Sequence, residues 1–262
     1  MTDPCVAKRC VAKRLKVNGI VQGVGFRPFV FQLAERFSLK GEVANTSSGV
    51  SIHIEGPPEN VASFEKELSE KNPPLAYIVE ISNETGTVKN HTEFAIVKSK
   101  GQAKMSTLIS PDVSVCDDCL GEMRACDDRR YHYPFINCTN CGPRYTIIDD
   151  IPYDRPKTSM RHFKMCSQCQ AEYDDPANRR FHAQPNACAD CGPHVGLYDN
   201  QRHEIIGHAD AVKKAADLLK AGYILAIKGL GGYHLAVDAA NTDAVKQLRR
   251  RKLCGEKPFA IM

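Results

Sequence analysis

The sequence contains no run of about 18 apolar residues, so no segment reads as a spanning helix. Its first stretch, MTDPCVAKRCVAKRL, has basic side chains but no apolar core and no small-residue cleavage site, which excludes a signal-peptide reading. The expectation is therefore a cytoplasmic chain in a reducing compartment, with no membrane partner, where disulfides are rare. A strong charge of one sign is also missing: 262 residues carry a formal +4, only a faint hint of acidic ligands or nucleic acid. Otherwise the composition is that of an ordinary globular protein, 42% hydrophobic and 25% charged, with ample chain for a buried core. Cysteine, by contrast, is plentiful. Twelve thiols in a reducing compartment point to metal.

The cysteines are ordered. Cys116, Cys119, Cys138 and Cys141 follow C-x2-C-x18-C-x2-C, and Cys166, Cys169, Cys188 and Cys191 repeat that spacing fifty residues later. Each C-x2-C turn aims two sulfurs at one ion, and two turns complete a tetrahedron. The copies share their flanks: CDDC with CSQC, RRYH with RRFH, NCTNCGP with ACADCGP, the mark of an internal duplication. Redox pairs or core cysteines would not repeat in this way. Four thiolates leave no open position, so the expectation is two structural Zn2+ ions. Eight thiolates and two divalent ions together subtract four charges and bring the net charge to zero, which empties the basic balance of meaning. His132 and His182 hold matched places; one reading makes them ligands in an exchanged set, and the favoured one has them pack or hydrogen-bond beside the clusters. Cys126 faces Pro176 in the repeat and is not a ligand, and Cys5, Cys10 and Cys254 read as ordinary thiols.

The periodicity divides the rest. Residues 1–98 alternate strand and helix signals, with strands at 13–21, 41–45, 50–55, 75–82 and 93–97 and helices at 28–37 and 61–68. The βαββαβ order suits a small α+β sandwich of the ferredoxin-like kind. Residues 99–112 form a polar linker. From 113 to 200 apolar periodicity nearly vanishes, and the segment needs a staple other than a core. Its division is 113–145 for the first finger and 146–200 for the second. From 201 to 262 an α/β pattern returns, with helices in AVKKAADLLKAG and NTDAVKQLRRRK around the strand YILAIKG. The whole reads as an α+β multidomain chain whose last segment opens a larger domain that is cut short, leaving residues 208–262 loosely folded.

GIVQGVGFRP places Gly19, Gly23 and Gly25 around one loop ahead of Arg27 and Pro28. Glycines let successive N–H groups curl around an anion, and a helix starting near Pro28 adds its positive dipole end. The fork of Arg27 at that junction suits a phosphate. A plain turn with a surface arginine is the competing reading.

VNGIVQGVGFRPFV and GEVANTSSGVSIHIEG resemble the two signatures of acylphosphatases. That resemblance implies that Arg27 binds acyl-phosphate oxygens, that Asn45 orients the attacking water, and that the backbone of Gln22, Gly23, Val24, Gly25 and Phe26 lines the cradle. CDDCLGEM, RRYHYPFINCTNCGPRYTI, PYDRPKTSM and CQAEYDDPANRRFHAQPNACADCGP carry a second resemblance, to the HypF family, carbamoyltransferases of nickel–iron hydrogenase maturation. It implies carbamoyl phosphate as substrate, hydrolysed to carbamate and phosphate. It further implies ATP with Mg2+ to form carbamoyl adenylate on a YrdC-like domain, and a partner maturation protein whose C-terminal cysteine accepts the carbamoyl group. IKGLGGYHLAVDA and LRRRKLCGEKPFAIM resemble the start of the YrdC-like domain, which makes Lys228, Lys252 and Lys257 candidates for nucleotide phosphate, against a reading as solvated helix and turn.

Two alternatives stand beside this. One is a general acylphosphatase with a structural zinc appendage. The other is a zinc-ribbon nucleic-acid binder, using Arg129, Arg130, Arg179 and Arg180 with Tyr131 and Phe181 to stack on bases. Acidic pairs at Asp127–Asp128 and Asp174–Asp175 offset those arginines and disfavour nucleic acid.

Overall fold

The computed structural model describes residues 10–99, 108–253 and 255–262. Cys5, Cys254 and most of the expected linker lie outside the described residues. The chain forms two compact units, Met1–Tyr131 with Phe135–Gly192 and His132–Pro134 with Pro193–Met262.

The first unit opens with β1 (Val11–Ile20), α1 (Phe26–Arg36), β2 (Lys40–Thr46), β3 (Gly49–Gly56), α2 (Pro58–Glu70), β4 (Tyr77–Gly86) and β5 (Phe94–Ile96). The sheet order is β4-β1-β3-β2-β5, antiparallel except where β5 runs parallel to β2. Both helices contact the sheet, and each contributes one stripe to the core. Leu15, Val17, Ile52 and Ile54 of the strands meet Val30 and Leu33 of α1 and Val61, Phe64 and Leu68 of α2. Pro58 opens α2, where a missing N–H costs nothing.

Two details differ from the sequence reading. α1 begins at Phe26, capped by Gly25 in the left-handed conformation at φ 74°, so Arg27 lies in its first turn. Gly19 does not belong to the loop. It sits at an irregularity between β1 and β4, and at φ 135° a Cβ there would come 2.1 Å from the Tyr77 carbonyl oxygen.

The cysteine-rich half of this unit is built from α3 (Asp117–Arg124), α4 (Ser167–Asp174) and three short 3-10 turns between them. Cys116 and Cys166 are the N-caps of α3 and α4, and Cys119 and Cys169 follow within the first turn. The duplication extends to the backbone, since His132 and His182 both take positive φ, 56° and 53°.

The second unit pairs β6 (Gly196–Tyr198) with β7 (Glu204–Gly207) and continues into α5 (His208–Lys220). The hairpin of β8 (Leu225–Lys228) and β9 (Tyr233–Ala236) and then α6 (Thr242–Lys252) follow, with Asn241 capping α6 through a 3.0 Å bond from the Ala244 N–H. Within this unit Leu230, Tyr233, Ile227 and Leu235 of the hairpin region stay exposed, while Ala244 and Leu248 of α6 are buried.

Candidate functional site

The loop after β1 turns at Gly23 and Gly25, both left-handed at φ 73° and 74°. A Cβ on Gly23 would meet Arg144 Cδ at 3.0 Å and the Tyr153 ring at 3.2 Å, so glycine is set by packing as well as by backbone conformation. Val24 and Phe26 face the core, which fixes the loop from beneath. The first helical bond of α1 runs from the Phe29 N–H to the Gly25 carbonyl at 3.0 Å. Earlier N–H groups of a helix have no intrahelical partner, and they open here toward the loop.

Arg27 and Asn45 converge from α1 and β2 on one atom. Asn45 Nδ2 donates to the Tyr153 carbonyl oxygen at 3.1 Å and Arg27 Nη2 to the same oxygen at 3.4 Å. Arg27 Nη1 also pairs with Asp154 Oδ1 at 2.8 Å. Both side chains are buried, Arg27 at 8% and Asn45 at 1% exposure. Asn45 Oδ1 is buried without a partner among the described residues, and Asn45 lines the pocket formed here. Gln22, assigned only a backbone role from the sequence, acts through its side chain. Its Oε1 accepts from the Tyr153 N–H at 2.8 Å, and its Nε2 donates to the carbonyls of Thr46 and Gly49, both at 2.8 Å.

The pocket so formed is lined by Gln22, Gly23, Arg27, Asn45, Tyr153 and His182, among others. His182 is a wall of this pocket and packs on the Tyr173 ring of α4 with centroids 4.8 Å apart. Burial, then the charge of Arg27, lowers its pKa to about 4, so its imidazole is neutral near pH 7. Burial likewise pushes the Tyr153 hydroxyl up to about 12. Arg144, 2% exposed, ties the pocket to the first cysteine cluster. Its guanidinium donates to the Gly23 carbonyl and to those of Cys138 (3.2 Å), Thr139 (3.0 Å) and Cys141 (3.0 Å). Nothing in the spacing of Arg144, Tyr153 or Asp154 along the sequence points to this loop. Chain folding brings them there across more than a hundred residues.

The eight expected cysteines form two groups, Cys116/Cys119/Cys138/Cys141 and Cys166/Cys169/Cys188/Cys191. All four sulfurs of each group lie within 4.8 Å of one another, with three pairs at 3.5 to 3.8 Å in the first and three at 3.6 to 3.9 Å in the second. A tetrahedron with Zn–S bonds of about 2.3 Å has edges of about 3.8 Å, so both groups fit structural zinc. The arginine pairs cross between the copies. Arg129 donates to Cys169 Sγ at 2.7 Å and pairs with Glu172 at 3.2 Å, while Arg179 donates to Cys119 Sγ at 3.1 Å and pairs with Glu122 at 2.8 Å. Arg130 reaches the Ala187 carbonyl at 2.9 Å and Arg180 the matched Asn137 carbonyl at 3.1 Å. Burial would raise the Glu172 carboxyl, but the Arg130 hydrogen bond and the charges of Arg130, Arg129 and Arg180 outweigh it and hold it at about 2. Arg129, Arg130 and Arg179 reach cluster sulfurs, Arg180 pairs with Glu122, and Phe181 is buried against Phe31 with ring centroids 5.4 Å apart. That commits five of the six residues on which a nucleic-acid reading rests.

A third cluster, unseen in the sequence, is structural. Glu55 accepts from the Lys89 N–H at 2.6 Å, the His91 N–H at 3.2 Å and His53 Nε2 at 2.8 Å, latching the 89–91 loop onto β3. Of the lysines, Lys252 lies 6.0 Å from the Phe259 ring, and the Lys257 carbonyl accepts from Arg249 at 2.8 Å, at one corner of α6. Lys228 lies over the Tyr233 ring at 5.2 Å on the hairpin.

The Acylphosphatase family profile matches residues 13–96, and the HypF finger profile matches twice, at 115–148 and 165–198. The chain belongs to the HypF family. A profile described as Telomere recombination, that of the YrdC-like domains, matches residues 217–262. The carbamoyltransferase HypF of Synechocystis is 50% identical over 95% of this chain and 32% of its own length. The chain thus spans about a third of the HypF relatives it matches. The acylphosphatase of Pseudothermotoga lettingae is 40% identical over 32% of this chain and 93% of its own. A crystal structure of full-length HypF in a phosphate- and nucleotide-bound form superposes with a TM-score of 0.86, at 50% identity over 96% of this chain and 33% of that one. No helix among the described residues is long and apolar enough to cross a membrane.

Proposed function

We propose that the pocket between the glycine loop and Tyr153 hydrolyses carbamoyl phosphate to carbamate and phosphate. The observation that carries this reading is the convergence of Arg27 and Asn45 on a single buried point beside the left-handed glycines. Arg27 and the N–H groups of Gln22 to Phe26 bind the phosphate oxygens. Asn45 Oδ1 accepts a proton-bearing water and aims its oxygen at phosphorus. The water oxygen bonds to phosphorus as the bond from phosphorus to the carbamoyl oxygen breaks. Carbamate leaves as a monoanion and the two water protons remain on phosphate, so the charge of −2 is conserved. Positioning and fixed donors carry such a reaction because the mixed anhydride is already activated.

Within the longer HypF architecture the chain serves carbamoyl transfer in nickel–iron hydrogenase maturation, in the cytoplasm. Residues 1–98 provide the hydrolytic domain, 113–145 and 146–200 the fingers, and 201–262 the opening of a YrdC-like domain. ATP with Mg2+ activates the carbamate, with Lys228, Lys252 and Lys257 toward its phosphates, and a partner's C-terminal cysteine takes the carbamoyl group. Phosphate release from carbamoyl phosphate tests the first step: Arg27→Ala is expected to lower the rate by about 10²–10³-fold with zinc content unchanged. An unchanged rate refutes the site.

A further inference from the structure

The pocket is small and partly filled by its own chain. The space left in it is about 20 Å³, room for one water. Asp154 Oδ1 stands 2.8 Å from Arg27 Nη1, where a phosphate oxygen would bind. The peptide of Tyr153 is held at three points: its N–H by Gln22 at 2.8 Å, its carbonyl by Asn45 at 3.1 Å and by Arg27 at 3.4 Å. Gln22 is itself fixed to the β2–β3 turn through Thr46 and Gly49. The Tyr153 ring is 5% exposed and packs on Gly23.

The restraints on these neighbours are unequal. Tyr153 is bonded through its backbone and buried through its ring, whereas the Asp154 side chain is 23% exposed and tied to the pocket by an ion pair. A dianion entering the pocket competes with a carboxylate for the same guanidinium, and a doubly charged phosphate wins that competition. What yields is therefore Asp154, and what remains is the wall at Tyr153.

We propose that the Tyr153–Asp154 segment, supplied by the connector between the cysteine clusters, determines which acyl phosphates the pocket takes. The Asp154 carboxylate is a built-in occupant of the phosphate subsite that substrate phosphate displaces. The fixed Tyr153 wall then limits the acyl group to a few non-hydrogen atoms. The carbamoyl group meets that limit and an aryl group does not. This rests on the pocket being an acyl-phosphate site, and the test separates the two.

The zinc-loaded chain is titrated with inorganic phosphate by calorimetry, and its kcat/KM is measured with acetyl phosphate and with benzoyl phosphate. Asp154→Asn is expected to bind phosphate about fivefold more tightly or better, and adding Arg27→Ala to erase that gain. The unaltered chain is expected to prefer acetyl over benzoyl phosphate by about tenfold or more, and Tyr153→Ala to narrow the ratio. Phosphate binding no tighter in Asp154→Asn, or equal cleavage of both acyl phosphates by the unaltered chain, overturns the proposal. Tighter phosphate binding in Asp154→Asn with neither acyl phosphate cleaved retires the hydrolytic reading and leaves the displacement of Asp154 standing.

Discussion

The sandwich of residues 11–96 and the cysteine-rich half that follows it are held together by different physics. In the sandwich, Leu15, Ile52, Phe64 and Leu68 are almost fully buried, and burial of such side chains is worth roughly 1.5–3 kcal/mol each. In the cysteine-rich half the deeply buried side chains include Arg130, Arg144, Arg180, Thr158 and Asn186. Those groups gain little from leaving water and are costly unless paired. Metal, thiolate–arginine contacts and carbonyl acceptors take the place of a hydrocarbon core. A chain segment poor in periodic apolar residues can thus be ordered, and its order is expected to depend on an ion where that of the sandwich does not.

Removing the ion is the strongest way to break this comparison. Cys119→Ser, or chelation, removes a site whose apparent binding energy is on the order of 10–16 kcal/mol. Hydrogen exchange is expected to show protection lost around α3 and α4 and retained in β1 and β3. Persistent protection in α3 without zinc would show that the ion is not the staple. A core truncation does the reverse with a smaller effect. Phe64→Ala is expected to cost about 3–5 kcal/mol in denaturant unfolding of the sandwich, with zinc content intact.

The smallest effect comes from His182. Its folded pKa of about 4 lies below the ordinary 6.5, so the unfolded chain binds more protons between those values. Stability is therefore complete above about pH 6.5 and declines as pH falls toward 4. His182→Phe is expected to flatten that slope between pH 6.5 and 5.5, where zinc content can be checked in parallel. An unchanged slope would assign the acid sensitivity to other groups.

Much of this was legible because it is local. The two cysteine quartets, the cradle glycines with Arg27, and the strand and helix order of the sandwich all rest on spacing within short windows. The start of α1 was misplaced by two residues, because Gly25 caps it through left-handed backbone that sequence spacing does not display. Gly19 was placed in the cradle although a close approach to β4 explains it. His182, expected beside the cysteines, packs on the Tyr173 ring of α4 at 4.8 Å and also lines the pocket that holds Arg27, a second role that its place in the repeat does not display.

The sequence by itself determined which cysteines gather into two quartets and which loop turns on paired glycines, because ligand spacing and backbone freedom are properties of a few adjacent residues. Only the tertiary structure decided that Arg129 and Arg179 each reach the other copy's thiols, and that Tyr153, Asp154 and Arg144 close over the glycine loop and Arg27. Those contacts join residues from 40 to more than 120 positions apart. Chain folding sets such distances, and no local pattern encodes them.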